Sequence, residues 1–127
     1  MAALTNYAEE RLLRHLLGDS AFTIPAAHYL ALHTADPGET GATAEVSGGS
    51  YARKLIAFDW NAGGSRVENN AAVTFTSMPA GTVSHFSIWD ALTSGNCLVK
   101  GALASPQTLS AGQSITAATG EIRVTAD

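Results

Sequence analysis

After its first twenty residues this chain never again holds an apolar spacing of three and four residues. It alternates instead, and turn residues cut it at intervals of roughly 8–12 positions. Such punctuation leaves room only for short strands, seven or so. No second helical run lies between them to serve as the crossover that a parallel sheet requires. The expected fold is mainly β, an antiparallel β-sandwich or barrel with a short N-terminal α-helix. At 127 residues the chain fits one core. It is read as a single domain over residues 1–127, a helical arm at 1–20 leading into a β core at 21–127.

The helix is placed at residues 5–17 by Leu12, Leu13, Leu16 and Leu17, with Ala8 one turn earlier. Asn6 is the expected N-cap and Glu9 its capping-box partner. Arg14 and His15 suit the negative helix end, and Gly18 suits the left-handed residue after it. The leucine face has two readings. The favoured one packs it on the domain itself, and the other docks it on a neighbouring subunit.

The strands follow from alternation. In residues 28–33, Leu30 and Leu32 share one face while Tyr29, Ala31 and His33 share the other. Asp36-Pro37-Gly38 reverses the chain, and residues 38–50 form a long Gly-, Thr- and Ser-rich loop. Residues 51–60 read as one strand with Ile56, Phe58 and Trp60 inward, and with Arg53 and Lys54 on its two faces. Asn61-Ala62-Gly63-Gly64 turns into one or two strands holding Val67, Val73 and Phe75. Met78-Pro79-Ala80-Gly81 breaks that run. Residues 83–89 form a strand with Phe86 and Ile88 on one face, and Thr93-Ser94-Gly95-Asn96 loops into a strand at 97–100. Two short strands close the chain, at 113–116 and 121–125.

Composition limits the function. Charged residues make up 14%, against about 25% in an average soluble domain. The seven Lys and Arg are scattered in a chain of net charge −4, which argues against a nucleic-acid surface. No apolar stretch is long enough for a transmembrane helix, and the Met1 end carries no secretory pattern. Synthesis in the cytoplasm without a membrane partner is expected. The single cysteine, Cys97, has no internal partner and reads as a small core residue.

No motif reaches catalytic or metal-binding specificity. His28 and His33 are five residues apart and point to opposite faces of a strand, while His15 and His85 lie in separate elements. Ser84, His85, Ser87 and Asp90 include the residue types of a hydrolase triad. Neighbours on one strand do not converge on one point, however, and no Gly-x-Ser-x-Gly elbow is present. Gly48-Gly49-Ser50 lacks the Gly-Lys-Ser/Thr ending of a phosphate loop and leads into a strand. Trp60 and Trp89 end apolar strands and are assigned to core or interface packing. No catalytic, cofactor-binding or metal-ligating residue is expected, and neither is a cofactor.

Three segments nevertheless carry a resemblance. They are Tyr29-Leu30-Ala31-Leu32-His33-Thr34-Ala35-Asp36-Pro37, then Glu45-Val46-Ser47-Gly48-Gly49-Ser50-Tyr51-Ala52-Arg53, then Val83-Ser84-His85-Phe86-Ser87-Ile88-Trp89-Asp90-Ala91. The third continues through Ser94-Gly95-Asn96 to Gly101-Ala102-Leu103. Along nearly its whole length the chain resembles small tailed-bacteriophage proteins commonly labelled phage tail fibre proteins. The resemblance implies a non-enzymatic structural protein of a virion, whose partners are the major capsid protein or tail components. It transfers no ligand residues.

The chain has no repeat and no coiled-coil stem, so a capsid decoration (cement) protein is the favoured expectation. The N-terminal helix and residues 38–50 would then bridge capsid subunits. A homo-oligomer, a trimer about a local threefold, is expected from phage assemblies in general. The alternative is a tail fibre or baseplate module that binds the host surface through Tyr51, Trp60 or Trp89.

Overall fold

Alternation in β2 (His28–His33) sends Leu30 and Leu32 to one side of a sheet and Ala31 and His33 to the other, and all four are buried. A strand buried on both faces must be central, with layers above and below it. The computed structural model describes residues 2–125 and shows these layers. The largest sheet joins β1 (Ala2–Leu4), β8 (Cys97–Leu109), β7 (Gly81–Trp89), β2 and β3 (Lys54–Ile56) in that order. A second sheet joins β10 (Arg123–Val124), β5 (Arg66–Asn69) and β4 (Phe58–Asn61). The third pairs β6 (Val73–Phe75) with β9 (Ile115–Ala117). Every pairing is antiparallel. The chain is mainly β with one short N-terminal helix, α1 (Asn6–Leu16), as the punctuation predicts.

The main core lies between the large sheet and the two small ones. Leu30 pairs with Ile88 and Leu32 with Phe86 across β2 and β7. These four meet Ile56, Val73, Phe75, Met78, Val83, Val99 and Ile122 in one apolar cluster. Each such side chain, fully buried, contributes about 1.5–3 kcal/mol. The opposite face of the large sheet carries a smaller cluster of Ala31, Trp89 and Cys97.

Several boundaries differ from the expectation. The N-cap is Thr5, not Asn6: its hydroxyl accepts from the Ala8 amide at 3.3 Å and donates to the Cys97 carbonyl at 2.7 Å. The Asn6 amide turns instead to Glu39 Oε2, 2.8 Å away. Anchoring of α1 to the start of β8 therefore fixes the cap. Ahead of it β1, too short to show a period, pairs with Val99, Lys100 and Gly101.

The leucine face does not pack on the domain. Only Ala8 of α1 is buried, while Leu13, Leu16 and Leu17 are 58%, 66% and 82% exposed. On the face of the large sheet away from the small ones, Gly41 and Thr43 already lie against Cys97, Trp89 and His33.

The strand expected at 51–60 is two strands in two sheets. β3 pairs with β2 and β4 with β5, and between them the Ala57 carbonyl accepts the Asn70 amide at 3.0 Å. Ile56 is buried and Phe58 packs against the core, but Trp60 runs past its edge and is 64% exposed. It is not an inward residue. The strand expected at 97–100 continues to Leu109. Register against β7 jumps from His85 opposite Ala102 to Val83 opposite Gln107, so residues 103–106 bulge out around Pro106.

Candidate functional site

The segment that most resembles phage proteins, residues 45–53, builds the most connected polar cluster of the molecule. Gly49 lets the chain double back there. Its φ is +56°, and a Cβ would lie 2.5 Å from the Ser77 carbonyl oxygen, so only glycine fits. The reversal returns Tyr51 and Arg53 to Glu45. Arg53 donates from Nη2 to Glu45 Oε1 at 3.0 Å and from Nε to Oε2 at 3.1 Å, a two-pronged ion pair. Tyr51 Oη donates to the same Oε2 at 2.9 Å and accepts from the Leu32 amide at 3.1 Å. Burial alone would raise the Glu45 carboxyl, yet the bonds from Arg53 and Tyr51 outweigh it and hold the group below the usual range. Burial, followed by the nearby Glu45 charge, raises the Tyr51 phenol.

Arg53 also binds outward. Its Nη1 reaches the carbonyls of Ala91 at 3.2 Å and Ser94 at 2.9 Å, fixing the β7–β8 loop, and its guanidinium sits over the Trp89 ring. Beneath lies a chain of hydrogen bonds. Trp89 Nε1 donates to Ser87 Oγ at 2.7 Å, and Ser87 Oγ is 2.7 Å from His33 Nε2. His33 Nδ1 lies 2.8 Å from the Thr43 carbonyl. A carbonyl only accepts, so Nδ1 carries the proton and Nε2 accepts from Ser87. Burial lowers the His33 pKa, keeping the ring neutral. Gly41, at φ +70°, presses onto Cys97 and Trp89 from above, where a Cβ would come within 2.7 Å of both. Cys97 is buried, as its composition-based reading expects, and its thiol is pushed up to about 11 by burial.

The residues singled out in the sequence are thus distributed differently. Ser87 pairs with His33 rather than with neighbouring His85, whose Nδ1 meets Ser84 Oγ at 2.8 Å. Asp90 closes its own loop on Asn96. Ser87 and His33 have the contact of a nucleophile and base, but both have zero exposure, so no substrate carbonyl reaches the hydroxyl. His15 takes the Phe22 amide on Nδ1, and His28 stands edge-on to Phe58. Among the described residues no three His, Cys, Asp or Glu side chains are grouped to hold a metal ion. Of the three aromatic residues named for surface binding, Tyr51 and Trp89 belong to the interior cluster, leaving Trp60 exposed. The Glu45, Tyr51 and Arg53 cluster went unread because nothing local marks it. Its one signal is an acid and a base eight residues apart around a Gly-Gly reversal.

The polar residues of this site bolt the loops at 45–53 and 90–96 to the large sheet, while Trp60 faces outward. The chain belongs to the Gp80 family, described as podophage GP4 fiber I protein, whose family model matches residues 3–125. It is therefore a phage fibre protein and a structural component of the virion. No curated protein matches it.

Proposed function

We propose that this protein is a fibre module that works without catalysis and contributes to host-surface binding. The family match across residues 3–125 carries the reading, because it names a fibre rather than a head component. It thereby favours the host-binding alternative over capsid decoration. The contact residue is Trp60, a large aromatic ring 64% exposed at the end of β4. An exposed ring of this kind suits stacking on a sugar face. The protein is made in the host cytoplasm, folds as one β unit with an N-terminal arm, and joins other virion components.

Fluorescently labelled protein should bind host cells, and Trp60→Ala should abolish binding while leaving the melting temperature unchanged. Gold-labelled antibody should mark fibres on the particle. Label confined to the head surface would reject this reading and restore the decoration one.

A further inference from the structure

We propose that the cleft between β8 and β9 binds a neutral saccharide of one or two rings, at a site distinct from Trp60. The bulge at residues 103–106 carries β8 away from β7, and a cavity of about 390 Å³ opens there towards β9. Small-molecule sites span roughly 300–1,000 Å³, so this one suits a small ligand. Trp60 does not line it.

The apolar part of the lining sets one requirement. Leu30, Leu32 and Phe86 close the cleft from below and are buried. Leu103, Leu109 and Ile115 are only half-buried and give it apolar walls. A ligand must present C–H surface to these walls for the contact to displace water favourably.

The rim sets a second requirement, because its polar groups have hydrogen-bonding capacity to spare. Thr116 is engaged, its hydroxyl 3.0 Å from that of Thr74. The Ser105 and Ser114 hydroxyls have no partner among the described residues. Gln107 spends one amide proton on the Ser105 carbonyl at 3.2 Å and keeps its side-chain oxygen free. Glu121 accepts the Ala118 amide on Oε2 at 2.9 Å and keeps Oε1 free. A wholly apolar ligand would strip these oxygens of water and return nothing. One rich in O–H donors satisfies them.

Charge narrows the class further. Among the described residues no Lys, Arg or His lines the cleft, and Glu121 is its one charged group. A carboxylate, phosphate or sulfate on the ligand would meet a like charge and no cation. Uncharged rings with C–H faces and hydroxyl edges meet all three conditions, and those are neutral sugars.

The test titrates the isotope-labelled full chain by NMR with glucose, galactose, mannose and N-acetylglucosamine, and with glucuronate as the acidic probe. At least one neutral sugar should shift the Ser105, Gln107, Ser114 and Glu121 amides saturably, and glucuronate should bind more weakly. Glu121→Gln should weaken the neutral sugar by roughly five- to tenfold, as loss of a charged acceptor implies, and should strengthen glucuronate. Unfolding cannot produce those opposite changes. Ser114→Phe, at an exposed position, should fill the cleft and abolish both titrations with an unaltered melt. No saturable shift with any neutral sugar, equal or tighter binding of glucuronate by the wild type, binding that survives Ser114→Phe, or both ligands moving the same way in Glu121→Gln would each overturn the proposal. Trp60→Ala should leave the titration unchanged. Host cells enter none of these measurements, so the proposed function and this cleft can fail separately.

Discussion

Arg53 holds its guanidinium 3.8 Å from the centroid of the Trp89 ring while gripping Glu45 through two nitrogens. One side chain thereby joins the 34–53 segment to the end of β7 and the loop that follows it, 38 and 41 positions away in sequence at Ala91 and Ser94. Its side chain is only 9% exposed, so the charge depends on Glu45 for compensation.

Removing one partner of such a pair strands the other, at a cost of about 3–5 kcal/mol. Arg53→Ala should fall in that range by urea denaturation. Arg53→Lys should recover little of the loss, because an ammonium cannot make the two-pronged contact or span to Ala91 and Ser94. Full stability in Arg53→Lys would show that the charge alone matters.

Gly49 and Gly112 separate two effects of glycine. Both have positive φ, but a Cβ on Gly112 meets nothing within 4 Å, whereas on Gly49 it strikes the Ser77 carbonyl. Gly112→Ala should cost roughly 1–2 kcal/mol, the left-handed conformation alone. Gly49→Ala should cost clearly more and broaden amide signals around Met78. Equal losses would contradict the close approach.

Acid should unfold the protein in two stages. The His33 pKa is lowered from 6.5, so the unfolded chain binds that proton first. Its stabilisation is complete above pH 6.5 and is lost as pH falls towards the folded value. Glu45, lowered from 4.5, adds a second loss below that pH. The urea midpoint should be level from neutrality to about pH 8, below the ordinary range of the raised Cys97 and Tyr51 groups, and decline through both windows as the pH falls. A ring titration of His33 by NMR with a midpoint at or above 6.5 would refute the first stage.

Thr5 caps α1 and ties it to β8. Thr5→Ala should cost about 0.5–2 kcal/mol, within the measured span for N-caps. Thr5→Ser should restore most of it, because the hydroxyl carries both bonds. Loss of α1 ellipticity without a change in the β signal would locate the effect in the arm.

What could be read in advance was whatever depends on local period. Leu30 and Leu32 against Ala31 and His33, Val73 with Phe75, and Phe86 with Ile88 all take the faces that alternation assigns. The sheet switch at Ala57 was not legible, because the apolar period runs on unbroken through Phe58 and Trp60 while the hydrogen-bond partner changes. β1 has three residues and no period at all. The polar cluster depends on contacts such as His33 to Ser87, 54 positions apart, which residue types alone do not announce.

The bulge at residues 103–106 has a further consequence. β1 covers β8 only at Val99, Lys100 and Gly101, so among the described residues no strand pairs with the outer edge of Leu103 to Leu109. A bare edge of that length is a template for adding strands from other molecules. Pro106 sits in the middle of it and has no N–H to offer. The proline thus interrupts the run of donors along this edge, so the edge cannot template an unbroken added strand.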